Sequence, residues 1–181
     1  MLNNSNHLQF REHKSVDRYQ MSISRITNDM WDEILQLQAE VYLDGLAEER
    51  EVLKNKWELS PDYCFVYMQQ GKINSYLLSH SWCSDTPPKL FEILPNNTNG
   101  STLFIHDLAV SNRAKGGGVG KLMVERLLGI SKERQFKKLL LVSVQDSVKF
   151  WSKMGFKEVE QHNVNSSYGS DAKLMSLEME A

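Results

Sequence analysis

The sequence has few cysteines, no long apolar run and almost no net charge. Its two cysteines, Cys64 and Cys83, lie in unrelated segments without a CxxC pairing, so neither a disulfide framework nor a zinc site is predicted. No window approaches the roughly 20 apolar residues of a membrane-spanning helix, and residues 1–20 lack the apolar stretch of a signal peptide. These absences favour a reduced protein of the cytoplasm with neither a membrane partner nor a metal.

The charge balance and the length narrow the class of protein further. A formal net charge of -2 gives no general attraction to nucleic acid or to an anionic membrane, so no nucleic-acid partner is expected. The 181 residues suit a single domain with one continuous core. Residues 1–19 are polar and aperiodic, which indicates a disordered N-terminal arm or a cloning remnant, with the folded domain at 20–181.

The N-terminal half predicts two helices, a hairpin and a long loop. Apolar residues recur at helical spacing in 28–45, and a second helix is predicted over 47–59. The runs 63–70 and 72–82 are typical of two strands joined in a hairpin. The segment Ser84–Gly100 holds three of the four prolines, so it is predicted to be a loop, either a lid or a loose surface excursion.

The C-terminal half predicts a strand, a helix and a second strand that together form a parallel βαβ unit. A short helix and two further strands follow, which gives one α/β domain on a mixed sheet of six or seven strands flanked by helices. The predicted ranges are 102–110, 118–135 and 139–144 for the unit, 146–154 for the short helix, and 157–160 and 173–179 for the last strands.

Two of the predicted helices have amphipathic patterns that predict which of their faces are buried and which are solvated. In the helix at 118–135 the apolar stripe predicted to face the core is Val119, Leu122, Met123, Leu127 and Ile130. In the helix at 47–59 the acidic residues Glu48, Glu49 and Glu51 are interpreted as a solvated face, and the alternative is that they attract a cationic substrate.

Four of the ten glycines fall within residues 116–120, where the predicted strand at 102–110 leads into a helix. Helix N-termini carry unpaired N–H groups and the positive end of the helix dipole. A loop stripped of side chains lets phosphate oxygens reach those donors directly. The cluster therefore predicts a phosphate-binding loop.

Two common phosphate-loop patterns do not fit this cluster. A Walker A loop requires a hydroxyl residue after Gly120-Lys121, but Leu122 follows, and Lys115 stands at the place of its first glycine. The dinucleotide pattern G-x-G-x-x-G begins at Gly116, but Lys121 stands where its third glycine belongs.

A third pattern, [Q/R]-x-x-G-x-[G/A], is the pyrophosphate loop of the GNAT-type N-acetyltransferase superfamily, and 115-KGGGVG-120 resembles it with Lys at the first position. The upstream 107-DLAVSNRAKGGGVGKLM-123 and the downstream 150-FWSKMGF-156 are similar to the superfamily's neighbouring segments. The N-terminal half is similar to one uncharacterised bacterial branch in 40-EVY-42, 60-SPDYCFV-66 and 76-YLLSHSW-82.

The resemblance implies a single-domain GNAT-like fold whose sheet is splayed between its two central parallel strands. It also implies acetyl transfer from acetyl-coenzyme A, as co-substrate, to a primary amine of a small molecule or a protein, and it allows for a homodimer. The cofactor-binding residues that it implies are Leu108, Ala109, Val110, Lys115, Gly116, Gly117, Gly118, Val119, Gly120, Lys121, Phe150 and Trp151.

The transfer needs a base, because an alkylamine with a pKa near ~10.4 is protonated at neutral pH. His106 and Asp107 are the candidate catalytic residues, with His106 favoured because imidazole suits a base at that pH. Alternation along a strand predicts that they point to opposite faces, so that at most one serves directly. The alternative is a structural pair in which one of them fixes a neighbouring loop.

Trp151 departs from the resemblance, because superfamily members often have a tyrosine there as the acid that protonates the leaving thiolate. An indole N–H does not deliver a proton at neutral pH. Tyr168 is a distant candidate for that task, and unaided departure of the thiolate is another. Trp151 itself is expected to pack against the cofactor arm or the core.

Two functions therefore stay open. The first is an active N-acetyltransferase, which the glycine loop and His106 favour. The second is a coenzyme A-binding module without catalysis that acts as a sensor or partner, which Lys115 and Trp151 favour.

Overall fold

The structure, a computed structural model, describes residues 21–42, 45–160 and 164–180. The predicted N-terminal arm at 1–19 lies outside the described residues. The described strands are β1 (Met21–Arg25), β2 (Phe65–Gln69), β3 (Lys72–Trp82), β4 (Thr102–Val110), β5 (Lys138–Ser143), β6 (Lys157–Glu158) and β7 (Lys173–Glu178). The described α-helices are α1 (Trp31–Val41), α2 (Arg50–Leu59), α3 (Val119–Glu133) and α4 (Val148–Lys153).

The strands form one mixed sheet in the order β1-β2-β3-β4-β5-β7-β6. Strands β4 and β5 run parallel, while the other neighbouring pairs are antiparallel. Helix α3 connects the two parallel strands. The predicted mixed sheet of six or seven strands, with its parallel βαβ unit, is confirmed.

The edge strand β1 was not predicted from the sequence. It pairs with β2 from Met21 opposite Gln69 to Arg25 opposite Phe65. Its five residues are exposed or half-buried, so they carry little of the hydrophobic alternation by which a strand is recognised. Pairing with β2, a contact between residues 40 to 48 positions apart, is what makes this segment a strand.

The predicted hairpin of β2 and β3 turns at Gln70 and Gly71, whose φ angles are +55° and +71°. Two consecutive left-handed residues match the turn that suits the twist of paired strands. The same hairpin is irregular at Met68, which pairs with Ile73 while Tyr67 pairs with Ser75.

The sheet packs against helices on both faces. Helices α3 and α4 cover one face through residues such as Met123, Leu127 and Trp151. Helices α1 and α2 cover the other face through Trp31 and Leu53, both of which are fully buried. Helices therefore cover both faces of the central strands, as the uninterrupted apolar sequence of β5 requires.

The predicted core stripe of α3 needs one correction. Leu122 is 44% exposed, whereas Val124 is fully buried in its place. The helix begins at Val119 behind Gly118, and its orientation on the sheet turns the Leu122 side outward. Ile130 is half-buried, and Val119, Met123 and Leu127 face the core as predicted.

The loop from Ser84 to Gly100 has neither helix nor strand, as predicted, but it is not a loose excursion. The Tyr168 hydroxyl donates to the Pro88 carbonyl at 2.6 Å, and the N–H of Leu94 donates to Asn55 Oδ1 at 2.8 Å. Leu90 and Leu94 are buried. Contacts along the loop thus hold it against α2 and the C-terminal segment.

Candidate active site

A cavity of about 300 Å³ lies where strands β4 and β5 separate. The two strands are paired from Thr102 with Lys138 to Ile105 with Leu141, and no further pairs follow among the described residues. The splay between the central parallel strands is therefore present, as the resemblance implied. The lining comprises Gln38, Val41, Tyr42, Leu46, Glu48, Leu90, Ile105, His106, Asp107, Leu108, Val110, Lys115, Gly120, Leu141, Val142, Val144, Gln145, Ser147, Phe150, Trp151 and Tyr168.

The glycine loop lies at one end of this cavity. Gly116 and Gly118 have φ angles of +79° and +78°, which a residue with a side chain adopts only at a cost. Gly118 is the N-cap of α3 and makes no side-chain capping bond. The first N–H groups of a helix have no partner within it, so those of Val119, Gly120 and Lys121 are available to an anion.

The loop is fixed from behind by α1. Glu40 Oε1 accepts the N–H of Asn112 at 2.6 Å and the hydroxyl of Ser111 at 3.0 Å. The Ser111 carbonyl in turn accepts the N–H groups of Ala114 and Lys115. These bonds hold the backbone that leads into residues 116–118, while Gly116, Gly117 and Gly118 stay exposed.

The end of β4 provides the side wall of the cavity. Leu108 and Val110 line it, whereas the side chain of Ala109 is buried in the cluster under α1. From His106 onward the edge of β4 that faces β5 has no strand partner among the described residues. This exposed edge is the feature that the resemblance assigns to the arm of coenzyme A.

The opposite wall is aromatic. Phe150 and Trp151 of α4 both line the cavity and contact each other edge to face, with ring centroids 5.0 Å apart. Trp151 is 7% exposed and also meets Phe156 at 5.4 Å. A Cβ atom at Gly120 would lie 3.3 Å from the Phe150 ring, so the glycine permits close packing between the loop and α4.

The prediction that His106 and Asp107 point to opposite faces is wrong. Leu78 of β3 pairs with Asp107 and Ser79 pairs with Ile105, so His106 is an extra residue in β4. Such a bulge resets the alternation of side chains. Both side chains consequently lie on the face of α1 and α2, where His106 meets Glu48 and Asp107 meets Tyr42.

Glu48 is the functional candidate that the sequence interpretation missed. It is 5% exposed, not solvated, because α2 begins at Arg50 and Glu48 lies in the turn before it. Its Oε2 lies 2.5 Å from His106 Nε2, and its Oε1 accepts from Lys56 Nζ at 3.2 Å and from the N–H of Phe91 at 2.7 Å. Glu49 and Glu51 are exposed, as predicted.

Lys56 completes this buried group, which we call the Glu48 cluster (Glu48, Lys56 and His106). Its ammonium is fully buried and also donates to the carbonyls of Val52 at 3.4 Å and Glu92 at 3.2 Å. Burial lowers the pKa of Lys56, and Glu48 opposes that effect. Burial works to raise the pKa of Glu48, but His106, Lys56 and the Phe91 N–H together lower it to about 2.

Asp107 forms a second buried group with two tyrosines. Tyr76 donates its hydroxyl to Asp107 Oδ2 at 2.6 Å, and the Tyr42 hydroxyl donates to Oδ1. Burial raises the pKa of Asp107 to about 6, against the lowering effect of the two hydroxyl donors. Burial and the neighbouring carboxylate raise the pKa of both tyrosines well above its ordinary value.

The remaining sequence candidates lie at the edges of the site. Lys115 lines the cavity, whereas Lys121 is exposed and lies 3.6 Å from Glu125. Tyr168 lines the cavity with its hydroxyl committed to Pro88, and burial followed by the charge of Glu48 raises its pKa well above the ordinary value.

The residues present fit the coenzyme A that the resemblance implies. A loop with two left-handed glycines offers backbone donors to a pyrophosphate. The unpaired edge of β4 beyond Ile105 offers amide groups to a chain that carries amides of its own. In the described residues His, Cys, Asp and Glu form no group of three that could hold a metal ion.

The profile of the acetyltransferase (GNAT) family matches residues 30–156. The chain belongs to the GNAT family. The match spans the loop, β4, α3, β5 and α4, which are the elements that build the cavity. GNAT membership assigns the chain to the acyltransferases that use coenzyme A.

Solved GNAT structures share the fold at low sequence identity. The loading GNATL domain of CurA from Lyngbya majuscula has a TM-score of 0.74 at 11% identity, covering 87% of this chain and 97% of that one. The ribosomal-protein-S18-alanine N-acetyltransferase from Escherichia coli has 0.65 at 14%, covering 87% and 93%. The PaiA N-acetyltransferase from Thermoplasma acidophilum, in complex with coenzyme A, has 0.65 at 12%, covering 88% and 99%.

No curated protein matches the chain in sequence. None of the helices in the described parts of the chain has the length and apolar character needed to cross a membrane.

Proposed function

We propose that the protein transfers an acetyl group from acetyl-coenzyme A to a primary amine of a small molecule or a protein. The observation that supports this most is the shared cavity, which the glycine loop borders through Lys115 and Gly120 and which β4 borders through His106 and Asp107. The glycine loop and the residues that carry the candidate bases thus border one space. Two of the similar structures are those of N-acetyltransferases, which catalyse the same class of reaction.

The cofactor side uses the residues that the resemblance implies. Residues 115–120, with Lys121 nearby, would hold the pyrophosphate, and the backbone of Leu108, Ala109 and Val110 would hold the pantetheine arm. Phe150 and Trp151 would pack beside that arm. Acetyl-coenzyme A supplies the activated acyl group, and the chain binds and orients it.

The acceptor side uses a base at the bulge of β4. His106 takes the proton that the amine loses, and Asp107 is the second candidate for that task. Both oxygens of Asp107 already accept tyrosine hydroxyls, which favours His106. A backbone N–H near Ala109 or Val110 is suited to stabilise the negative charge that develops on the thioester oxygen.

The leaving thiolate has no acid at the position where the family often has tyrosine. Trp151 occupies that position, and Tyr168 is committed to Pro88. We propose that the thiolate departs unaided, because a thiolate is a weak enough base to leave without full protonation.

A second function, coenzyme A binding without catalysis, is favoured by one observation. The side chain of His106 is only 1% exposed, although the residue as a whole is half-buried and lines the cavity. Part of the contact with the cavity is therefore made by its backbone. A protein that binds coenzyme A as a partner or sensor needs the glycine loop, but it does not need His106 as a base.

Calorimetric titration with acetyl-coenzyme A and coenzyme A tests the step that both functions share. Gly117→Glu places a carboxylate in the loop without a left-handed backbone, and it is expected to abolish binding by repelling the pyrophosphate. Gly129→Glu is the matched control, since Gly129 is exposed on α3 with open space around it. The control is expected to bind as the wild type does.

Turnover separates the two functions. Release of free thiol in the presence of a panel of primary amines, with loss of that release in His106→Gln, would support acetyl transfer. Binding without thiol release from any amine would favour the binding module. A wild type that binds neither form of coenzyme A would contradict both.

A further inference from the structure

The Glu48 cluster has a directional arrangement of hydrogen bonds. A carboxylate only accepts hydrogen bonds, and the Lys56 ammonium and the Phe91 N–H at Oε1 favour the ionised form of Glu48. Its Oε2 lies 2.5 Å from His106 Nε2, so that ring nitrogen must carry the hydrogen. In the neutral ring the other nitrogen, Nδ1, then holds a free electron pair.

His106 Nδ1 is buried and has no hydrogen-bond partner among the described residues. A buried polar atom without a partner is costly, and in a native structure it calls for an explanation such as a catalytic role or a bound water. The residue lines the cavity, and its side chain is 1% exposed. The unpartnered nitrogen is therefore suited to accept a proton, directly or through one bridging water, from a molecule that enters there.

We propose that Glu48 is a positioning residue that holds His106 with its hydrogen on Nε2, so that Nδ1 is the atom that accepts the proton of the amine. This inference rests on the proposed acetyl transfer. As the neutral amine nitrogen bonds to the acyl carbon and the C–S bond breaks, the sulfur keeps the bonding electron pair. The amine proton passes to Nδ1, and Glu48 stabilises the resulting imidazolium.

The other members of the cluster fix Glu48 in turn. Oε1 is held by two donors, Lys56 Nζ and the Phe91 N–H, which leaves Oε2 to His106. The neighbouring His80 lies with its ring centroid 6.2 Å from that of His106, and burial lowers the pKa of His80 to about 3. His80 is thus neutral and does not compete for the Glu48 charge.

The two donors at Oε1 make the variant Glu48→Gln informative. The amide oxygen is expected to take the place of Oε1, because it accepts from Lys56 and Phe91, and the amide NH2 then faces His106. An NH2 group donates and does not accept. The His106 ring is therefore expected to move its hydrogen from Nε2 to Nδ1, which removes the free electron pair from Nδ1.

The experiment reads the tautomer and the kinetics together. Long-range proton–nitrogen correlation spectra of 15N-labelled protein, recorded where the ring is neutral, report which nitrogen of His106 carries hydrogen. We expect Nε2 in the wild type and Nδ1 in Glu48→Gln. With a productive amine, kcat is expected to fall by about tenfold to a hundredfold, a part of what a general base contributes, while KM for acetyl-coenzyme A changes by less than about twofold.

Two further variants keep the test decisive. Glu48→Gln leaves Lys56 buried without its carboxylate, so the double variant Glu48→Gln/Lys56→Met removes both charges and is expected to show the same change of tautomer in a folded protein. Glu49→Gln changes the adjacent, exposed glutamate and is expected to behave as the wild type.

Each outcome has one interpretation. Hydrogen on Nδ1 in the wild type, or a Glu48→Gln variant that keeps both tautomer and kcat, would overturn the inference. If the tautomers respond as expected but the wild type acetylates no amine, it is acetyl transfer that fails, and the positioning of His106 by Glu48 is supported.

Discussion

The two ends of the cavity are built in opposite ways. The glycine loop presents exposed backbone, and Gly116, Gly117 and Gly118 bring no side chain at all. The bulge of β4 presents buried charged side chains, and Glu48 meets His106 from 58 residues away along the chain. The first end is therefore visible in a short stretch of sequence, whereas the second exists only after the chain has folded.

The largest expected effects are on different quantities at the two ends of the cavity, kcat at His106 and the Kd for coenzyme A at the glycine loop. His106→Gln is expected to lower kcat by about 10² to 10⁴, the usual contribution of a general base, with little change in the Kd for coenzyme A. Gly117→Glu is expected to do the reverse and abolish binding. Steady-state kinetics and calorimetry on both variants make the test, and equal losses of affinity in the two would remove the distinction.

The buried ion pair of Lys56 with Glu48 is expected to contribute far more to the free energy of unfolding than an exposed ion pair does. Lys56→Met leaves the Glu48 carboxylate buried with one charged partner fewer, which is expected to lower the free energy of unfolding by about 3–5 kcal/mol. Lys121→Met removes an exposed pair with Glu125 on α3 and is expected to cost at most about 0.5 kcal/mol. Urea titrations measure both, and similar losses would show that burial does not distinguish them.

The two buried carboxylates are expected to give opposite dependences of stability on pH. Folding lowers the pKa of Glu48 from 4.5 to about 2, so its contribution of about 3 kcal/mol is present above pH 4.5 and is lost as the pH falls toward 2. Folding raises the pKa of Asp107 from 3.8 to about 6. Its contribution, also about 3 kcal/mol, is present below pH 3.8 and is lost as the pH rises through 6.

Two variants separate these dependences. Asp107→Asn removes the loss of stability between pH 3.8 and 6, and its amide still offers partners to Tyr42 and Tyr76. Glu48→Gln/Lys56→Met removes the loss below pH 4.5. Urea titrations across this pH range give the free energies, and profiles that stay parallel to the wild type would contradict the assignment.

The smallest expected effect compares two glycines of one helix region. Gly118→Ala forces a side chain into a left-handed backbone at φ +78°, which is expected to cost about 1–2 kcal/mol. Gly129→Ala, in open space within α3, is expected to stabilise the protein by about 0.5–1 kcal/mol. Thermal unfolding resolves the opposite signs, and a gain in both would show that the loop tolerates a side chain.

Much of the fold could be predicted because its signals are local. The range of β4 was predicted to the residue, and the glycine-rich loop, α3 and β5 were placed within two residues of their bounds. Each has a strong local pattern, such as the uninterrupted apolar residues of β5. β1 has no such pattern, so its pairing with β2 was not foreseen.

The end of the cavity at His106 was harder to predict from the sequence, because its contacts join residues that are far apart along the chain. The extra residue at His106 depends on how β3 pairs with β4, and sequence alternation assumes that no residue is extra. The early start predicted for α2 placed Glu48 on a helix face, whereas it precedes the helix. Tyr42 and Tyr76 meet Asp107 from α1 and β3, and nothing local in either segment indicates that contact.

The bulge in β4 shifts the alternation of side chains along the strand by one residue. Nine residues of β4 lie opposite eight of β3, so the side chains that face α3 are those of Leu103 and Ile105 before the bulge and those of Leu108 and Val110 after it. Deleting one residue at position 106 would restore a regular strand. In that regular strand Leu103, Ile105, Leu108 and Val110 would keep the face that they have now. The bulge therefore adds one side chain, that of His106, to the face of α1 and α2 beside Asp107, and it leaves the faces of the other residues of β4 unchanged.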